Sequence, residues 1–510
     1  MTPSTRIIVN TIAQYCRSVI TMALAFVTTR VVFRGLGVVD FGIFSVVAGF
    51  VTMLGFITNA LVISTQRYIS YFYGSGQKEE TRKIFINSLF VHIVIVFLIT
   101  VVFLLLRDVF VEHWLNIPRE RTDAAYYVYM ISVLMLAVTV LEAPFKALFI
   151  ARENIVFISV VEVLDAIVKL LLIIFSFEVL GIDKLVMYSN VMVTVITVNL
   201  LVFSLYALIN YEECTLRFKR DDINRKYIYG LTNFAGWTTI DTASAVLRSQ
   251  GIAVILNNFL GAVINASFGI AMQIKTASSF VFTSILNAMT PQIMKAEGSG
   301  DRHQMVRLAT LESKFSTAIM ILTVYPIVFE LPSLLTLWLG TEPVHASMFC
   351  TFLIIAFLAD GVSLGLHVAN QALGNIGRYT LIMNVPKILS LILVWLALFC
   401  GYGVESVMWI YLIVEIAISL VRIPFTAKRA SFPIRDYLRD AVYPLIILFV
   451  GITIYCELIV SFLDFKYRFV FTYITAVLVG SAIMWILLLD RKEKEYIKKT
   501  LHIGRSDNIN

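Results

Sequence analysis

The sequence predicts an all-α integral membrane protein of about 14 transmembrane helices, in two six-helix lobes of like orientation followed by two C-terminal helices. Of its 510 residues, 59% are hydrophobic and 15% are charged, and the mean hydropathy is +0.85. A soluble domain is about 25% charged. The apolar residues form runs of about 20, which is the length that crosses roughly 30 Å of hydrocarbon. Two polar stretches also repeat each other 224 residues apart.

Glycine-containing turns separate the apolar runs and set the predicted helix boundaries. An even number of spans places both termini on the same side. Lysine and arginine are concentrated in the loops on that side, so we expect both termini to be cytoplasmic. The predicted spans are 8–33, 41–64, 84–106, 124–147, 155–177, 185–210, 228–257, 262–289, 308–331, 347–372, 379–400, 404–426, 441–463 and 468–489.

The repeat is carried by two basic, glycine-broken stretches, 64–85 and 290–309, which we expect to be loops between apolar runs. Gly74-Ser75-Gly76 in the first matches Gly298-Ser299-Gly300 in the second. Leu36-Gly37 matches Leu260-Gly261 at the same offset. We interpret this as an internal duplication, a common origin of transporter folds.

The duplication and the charge pattern together predict the domain organisation. A charge-rich stretch after the sixth helix is expected to be a cytoplasmic tether. The predicted parts are an N-lobe at 1–215, a linker at 216–226, a C-lobe at 227–430, helices thirteen and fourteen at 435–490, and a basic cytoplasmic tail at 491–510.

The first helix carries a polar stripe. Asn10, Gln14, Arg17 and Thr21 are spaced to share one helical face. A charge in hydrocarbon costs at least ~2.5 kcal/mol, so a buried arginine needs a reason. The stripe either forms a hydrogen-bonded seam with another helix or faces a water-filled cavity, and we favour the cavity because Arg17 has no acidic residue on its own helix.

The seventh helix, which duplicates the first, carries a second set of polar residues. Trp237, Asp241, Ser244 and Arg248 lie within it. Asp241 either neutralises Arg17 or Arg248, or contacts a ligand or ion directly. We predict that the first and seventh helices line a central cavity, and that the substrate-binding residues are those of the two sets.

Helices five and ten carry further charges. On helix five, Asp165 and Lys169 are four residues apart and can pair with each other, which indicates a structural role. On helix ten, Asp360, His367 and Gln371 share one face. They either bind a coupling cation or proton, as carboxylate and imidazole chains do in transporters, or form an internal network with Lys387, which we favour slightly.

Several function classes are disfavoured. The sequence has no P-loop, no HExxH and no dinucleotide turn in a suitable setting, so we expect a transporter that is not an enzyme and has no cofactor. The five cysteines are scattered and suggest neither a disulfide framework nor a metal site. The net charge of +7 follows from the basic loops and does not indicate a nucleic-acid partner.

Three motifs carry a family resemblance: LGVVDFGIFSVV at 36–47, STQRYISYFYGSG at 64–76 and AREN at 151–154. With the polar first helix, they resemble the multidrug/oligosaccharidyl-lipid/polysaccharide exporter superfamily. Within it, the chain looks most like the polysaccharide biosynthesis transporters that flip lipid-linked oligosaccharides for O-antigen, lipopolysaccharide or capsule. The resemblance implies that Arg17 and Arg248 meet the lipid diphosphate in a cavity between the lobes.

The expected function is therefore a flippase for undecaprenyl-diphosphate-linked oligosaccharide in the bacterial inner membrane, part of building the cell envelope. Its expected partners are that lipid and the bilayer, with a polysaccharide polymerase and glycosyltransferases as candidates, and no nucleic acid. Two alternatives stay open: a cation-coupled multidrug antiporter of the same fold, and a membrane scaffold of a glycan-synthesis complex without transport. Arg17 and Arg248 argue against the antiporter, whereas Asp241 and Asp360 argue for it.

Overall fold

The computed structural model describes residues 3–52, 55–114, 119–178, 183–215, 222–339, 342–465, 467–489 and 494. Within these ranges the chain is helical and contains no β-strand. The helices are α1 (Pro3–Thr52), α2 (Gly55–Gly74), α3 (Lys78–Asp108), α4 (Thr122–Ala151), α5 (Ile155–Glu178), α6 (Lys184–Asn210), α7 (Arg225–Leu260), α8 (Ala262–Gly298), α9 (Arg302–Thr323), α10 (Leu331–Leu339), α11 (Ala346–Gly361), α12 (Leu364–Leu373), α13 (Gly377–Phe399), α14 (Val404–Ala430), α15 (Ile434–Tyr437), α16 (Tyr443–Phe462) and α17 (Arg468–Ile483).

The helices confirm the predicted fold class, a multi-pass all-α membrane protein. Over the described ranges, nine segments are long and apolar enough to cross a membrane, or ten if the bent pair α11 and α12 is one span. The predicted number of 14 spans is not confirmed. Helix α5 is not among the nine, and it carries Glu162, Asp165 and Lys169 close together. The rest of α5 is strongly apolar, and only these three charges keep it out of the set, because a limit on charged residues takes no account of charges that are paired inside the protein.

The two stretches predicted as loops, 64–85 and 290–309, are mostly helical. Helix α2 continues to Gly74 and α3 begins at Lys78, while α8 continues to Gly298 and α9 begins at Arg302. The prediction was wrong because it equated polar residues with the end of a helix. A helix satisfies its own backbone hydrogen bonds in any solvent, and here its polar side chains are buried against protein.

Backbone conformation repeats at the predicted offset. Gly37 and Gly261 both have a positive φ, of 75° and 83°. Gly37 is a non-helical residue that kinks α1, and Gly261 separates α7 from α8. Gly76 and Gly300, in the turns after α2 and α8, repeat this with φ of 73° and 81°. Residues with a Cβ avoid this region, so the glycines are needed where they stand. The matching turns support the proposed duplication.

The chain divides into two compact units. The first contains Met1–Ala243, Asn287–Met305 and Gln371–Thr380, and the second contains Ser244–Leu286, Val306–Asn370 and Leu381–Asn510. The predicted lobe boundaries stay a prediction. Residues 216–221 of the predicted linker and, except for Lys494, the predicted tail at 491–510 lie outside the described residues.

Each unit has its own packed interior. In the first, α4 packs against α1, α2, α3 and α6, and α1 packs along α5. Gly35 of α1 lies against the ring of Phe177 so closely that a Cβ would overlap it. In the second, α11 packs against α14, and α16 against α17. Among lipids, such helix contacts depend on close packing and hydrogen bonds more than on the hydrophobic effect.

A cluster of charged residues holds three segments of the first unit together. Arg121, just before α4, donates to Asp40 at 2.6 Å and to Asp183 at 2.5 Å. Asp183 also caps α6 by accepting from the main-chain nitrogen of Leu185 at 2.9 Å. The hydrogen bond from Arg121 lowers the pKa of the Asp183 carboxyl, so this cap remains charged at neutral pH.

Candidate functional site: a cationic cluster in the second unit

Arg248 lies at the centre of a buried polar cluster in the second unit. Its Nη1 donates to Glu415 Oε1 at 2.5 Å, and its Nη2 donates to the main-chain oxygen of Tyr411 at 2.9 Å. The guanidinium carbon lies 3.8 Å from the centre of the Tyr411 ring, which adds a cation–π contact. Only 3% of the Arg248 side chain is exposed. Sequence reasoning therefore located this arginine correctly inside the protein but did not predict its glutamate partner.

Lys275 of α8 gives the cluster a second cation. Its Nζ donates to the hydroxyl of Tyr411 at 3.0 Å, on the same ring that Arg248 covers. Arg248 and Lys275 share one tyrosine, and among the described residues Glu415 is the carboxylate that acts on both, so the group carries one positive charge in excess. Sequence reasoning missed Lys275, although a lysine within the apolar run 262–289 meets the same criterion that identified Arg248.

An excess positive charge inside the protein raises the free energy of the folded state unless an anion approaches it. Arginine presents a planar fork of donors that matches phosphate oxygens, and lysine adds a compact point charge. The Nε of Arg248 is buried and has no hydrogen-bond partner among the described residues. An anionic group that reached this nitrogen would find a donor that the pair with Glu415 does not use.

The first unit carries a charge network that is balanced by comparison. Arg17 pairs with Glu162 of α5. Lys146 pairs with Glu142 at 2.7 Å and lies 3.5 Å from Glu162. The predicted pair of Asp165 with Lys169 is confirmed at 3.0 Å. Together these are three cations and three carboxylates.

The partner of Arg17 corrects an expectation. We expected this arginine either to lack a protein counter-charge or to be neutralised by Asp241. Glu162 of α5 is instead its partner. Helix α5 packs along α1 and brings a carboxylate 145 residues away in sequence to the guanidinium. A charge in a low-dielectric setting is stabilised by the nearest counter-charge, which spacing along one helix does not reveal.

The other residues of the predicted set have different environments. Asn10 donates to the main-chain oxygen of Glu153 at 2.9 Å, and Thr21 donates to Arg17 O at 2.8 Å within α1. Gln14 is buried, and its Oε1 has no hydrogen-bond partner within the described ranges. Three members lie on α7: Trp237 packs against Gly377, Asp241 is half-buried and Ser244 is buried. Their role in binding substrate stays a prediction.

The predicted coupling face of helix ten is broken in the structure. Helix α11 ends at Gly361 and α12 begins at Leu364, with a bend of 45° between them. Asp360 and His367 therefore lie on different helices, and Gln371 belongs to the other compact unit. We had assumed one continuous helix, and the helical spacing from which we inferred a shared face does not hold across the break.

Asp360 has a hydrogen-bonded partner that the sequence did not predict. Arg422 of α14 donates to Asp360 Oδ1 at 2.8 Å and to Ser363 Oγ at 3.0 Å. We had favoured Lys387, which contributes only a longer-range attraction. Packing of α11 on α14 brings the guanidinium to the carboxylate.

This pair yields a stability prediction. The Arg422 side chain is only 3% exposed, so Asp360→Asn leaves a buried guanidinium without its carboxylate. Breaking a buried pair costs about 3–5 kcal/mol, so we expect a large drop in the melting temperature of the purified protein. The exchanged pair Asp360→Arg with Arg422→Asp recovers part of it. Recovery by Asp360→Lys with Lys387→Asp instead would identify Lys387 as the partner.

A second feature of the first unit is a close approach between α2 and α8. A Cβ on Gly74 would overlap the main chain of Lys295, and one on Gly298 would overlap that of Tyr71. Gly298 and Lys295 are the repeat equivalents of Gly74 and Tyr71. We call these four residues the α2–α8 contact, and each half of the duplication supplies one glycine and one backbone surface to it.

Polar bonds flank the α2–α8 contact. Lys295 pairs with the Glu153 carboxylate at 2.7 Å, in the turn between α4 and α5. Arg67 of α2 is buried and donates from Nε to Gln371 O at 2.6 Å and from Nη2 to Ala372 O at 3.2 Å, at the end of α12. Each of the two helices thus binds a helix end or turn contributed by the other half of the duplication.

Comparison with known proteins identifies the family of the chain. The family described as polysaccharide biosynthesis protein matches residues 7–297, more than half of the chain. The chain belongs to the polysaccharide biosynthesis protein family. This confirms the resemblance drawn from the sequence motifs. A comparison with curated proteins finds no significant match for this family member.

Solved structures show which fold this polysaccharide biosynthesis protein has. A MATE protein in complex with MaL6 matches with a TM-score of 0.70 and 15% identity, over 84% of this chain and 97% of that one. An outward-facing multidrug resistance MATE family transporter of the MOP superfamily matches with a TM-score of 0.70 and 14% identity, over 84% of this chain and 96% of that one. A MOP superfamily transporter from Pyrococcus furiosus matches with a TM-score of 0.69 and 15% identity, over 84% of this chain and 96% of that one. The family member therefore shares the MATE transporter fold.

Proposed function

We propose that this protein flips undecaprenyl-diphosphate-linked oligosaccharide from the cytoplasmic to the periplasmic leaflet of a bacterial inner membrane by alternating access, with both termini in the cytoplasm. Family membership supports a role in polysaccharide biosynthesis. The observation that carries the proposal is the cluster of Arg248 and Lys275, which holds two cations against the single carboxylate of Glu415. A diphosphate is the part of such a lipid that needs this charge.

The physical problem of the reaction is the head group. A diphosphate and a sugar chain cannot cross hydrocarbon unaided, because unsatisfied charges and polar groups are costly there. Protein donors must replace their hydration, while the polyprenyl tail can remain in the bilayer. Arg248 and Lys275 supply donors to the phosphates, and the paired Glu415 prevents the site from holding the product too tightly. The glycan serves O-antigen, other lipopolysaccharide or capsule, with a polymerase and glycosyltransferases as partners.

A reconstituted assay tests this function. Purified protein in liposomes is given a fluorescent undecaprenyl-diphosphate-linked oligosaccharide, and its exposure at the outer surface is followed by chemical quenching. We expect protein-dependent movement that unlabelled lipid diphosphate competes away and the corresponding lipid monophosphate competes away poorly. Absence of both movement and binding of the lipid diphosphate would contradict the proposal.

The alternative is a cation-coupled multidrug antiporter, which the likeness to a multidrug resistance MATE transporter favours. Such a protein needs an acidic surface for cationic drugs, whereas the Arg248 cluster is cationic. Expression in a drug-sensitive strain distinguishes the two, because an antiporter raises resistance to cationic drugs and a flippase restores surface glycan in a flippase-deficient strain. A non-transporting scaffold does not raise drug resistance in cells and moves no lipid in the liposome assay.

A further inference from the structure

The second unit contains a buried carboxyl group that the proposed diphosphate site does not use. Glu312 of α9 has no exposed surface, and neither of its carboxylate oxygens has a hydrogen-bond partner within the described ranges. The hydroxyl of Ser316 donates instead to the main-chain oxygen of Glu312, at 2.5 Å. An ionised carboxylate in this position would be buried, and within the described ranges only the Ser316 hydroxyl, which already donates to the main chain, acts on it as a donor. Such an arrangement is costly in a protein.

The charges around Glu312 are already balanced without it. Asp360 of α11 and Arg422 of α14 act on it electrostatically, and these two are paired with each other at 2.8 Å. Tyr437 of α15 is buried nearby and donates its hydroxyl to Val362 O at 2.7 Å. His367 and Lys387 act on Asp360 from α12 and α13. A second negative charge beside the Asp360–Arg422 pair would have to compete with Asp360 for the guanidinium.

The carboxyl group of Glu312 lies at the break between α11 and α12. A Cβ on Gly365, in the first turn of α12, would lie 2.5 Å from Glu312 Oε2. The main-chain nitrogen of Gly365 donates to Ser313 Oγ, next to Glu312, at 2.9 Å. Any change in the charge or hydration of the carboxyl group therefore acts directly on the start of α12, where the helix pair is bent by 45°.

We propose that Glu312 is a proton-binding site: it holds a proton in this conformation and exchanges it when the α11–α12 break opens. A proton fits better than a metal ion, because one of the two carboxylates present is already engaged by Arg422. The described part of the chain contains no group of three or more His, Cys, Asp or Glu side chains placed to hold a metal. A hard cation such as Ca²⁺ takes six to eight oxygen ligands.

Proton binding by Glu312 stands without the proposed function. A second step, in which proton exchange at Glu312 accompanies each transport cycle, rests on that function. Asp360 and His367, which we had considered for coupling, are then neighbours that set the local charge. The Asp360–Arg422 pair keeps the surroundings neutral, so the proton on Glu312 is the charge that can change there.

Infrared difference spectroscopy on the full-length protein tests the binding site directly. A protonated carboxylic acid has a carbonyl stretch that is separate from the carboxylate and amide bands, and it shifts in D₂O. We expect such a band in the wild type and its loss in Glu312→Gln. Glu330→Gln is the matched control, because Glu330 is also buried in the second unit but accepts hydrogen bonds from Arg468 at 2.9 Å and from Thr472 at 2.8 Å. That variant is expected to keep the band.

Thermal unfolding gives an independent readout. Glutamine resembles the neutral acid in shape and charge, so we expect Glu312→Gln to melt near the wild-type temperature at neutral pH. Identical acid bands in the wild type and Glu312→Gln, or a large destabilisation by this substitution, would show that Glu312 is ionised at rest and would overturn the proposal.

The liposome assay separates this site from the proposed function. We expect Glu312→Gln to lose the dependence of flipping on the proton gradient that the wild type shows. Retained dependence in this variant would overturn the coupling step, whatever the infrared result. An acid band that depends on Glu312, together with no flipping by the wild type, would leave the proton site intact and refute only the proposed function.

Discussion

Lys275→Met is expected to weaken binding of the lipid diphosphate by about 10- to 100-fold and to reduce flipping correspondingly. The substitution removes the excess positive charge of the cluster but leaves Arg248 paired with Glu415 at 2.5 Å, so no buried carboxylate loses its partner. A hydrogen bond to a charged group contributes about 1.5–3 kcal/mol, and 1.4 kcal/mol is tenfold in affinity. Binding is measured by titrating purified protein with the lipid diphosphate, and transport by the liposome assay.

The control for Lys275→Met is a double variant in the first unit, Asp165→Asn with Lys169→Met. It also removes a half-buried lysine, but from a pair that is neutral, and it removes both partners together. We expect near-normal binding and transport from this variant. Equal affinity of the wild type and Lys275→Met for the lipid diphosphate would remove the cluster from the binding site.

The two arginines give a finer version of the same test. Arg248→Ala and Arg17→Ala are both expected to abolish export while the protein remains in the membrane, and Arg→Lys restores it only in part because a point charge lacks the planar fork. Each alanine variant also removes the partner of a glutamate, which is Glu415 for Arg248→Ala and Glu162 for Arg17→Ala. Adding Glu415→Gln to Arg248→Ala, or Glu162→Gln to Arg17→Ala, restores the charge balance. A double variant that regains full export would show that the arginine only neutralises its partner.

Gly74→Leu and Gly298→Leu are each expected to reduce flipping at least tenfold. Their positions allow α2 and α8 to approach until any Cβ would overlap the opposite main chain. A leucine at either one forces the helices apart and removes this conformation from the transport cycle. Because the α2–α8 contact is made by repeat equivalents, we expect the two substitutions to have similar effects. The liposome assay measures both, with melting temperature and membrane yield as checks on folding.

Gly236→Leu is the matched control for the α2–α8 contact. This glycine also lies inside a helix, α7, but a Cβ there meets nothing within 4 Å. The substitution introduces the same side chain and the same gain in helix propensity, so normal flipping is expected. Full activity of Gly74→Leu and Gly298→Leu would mean that the cycle never requires the close approach of α2 and α8.

The sequence predicted which charges lie inside the protein but not the partners of those charges. Arg17, Arg248 and Asp360 were all found from a single criterion, a charged residue within an apolar run. Their partners are 145, 167 and 62 residues away along the chain. Spacing arguments operate within one helix, so the Asp165–Lys169 pair was predicted correctly while Glu162 and Glu415 were not.

Helix ten shows the limit of periodicity. The polar residues of 347–372 fall on one face only if the helix is continuous, and the structure bends by 45° between Gly361 and Leu364. A break of this kind depends on close packing: a Cβ on Gly361 would meet Phe282 and Thr317, and one on Gly365 would meet α9. Neither contact leaves a periodic signal in the sequence.

By itself, the sequence determined the membrane class, the helical fold and the family, because each depends on properties that add along the chain: hydropathy, helical period and motifs. The tertiary structure decided what the buried charges do. It paired Arg17 with Glu162 and placed Lys275 on the same tyrosine as Arg248. It also left Glu312 without a hydrogen-bond partner within the described ranges. The energy of a charge in a low dielectric depends on its neighbours within a few ångströms, and packing between helices chooses those neighbours.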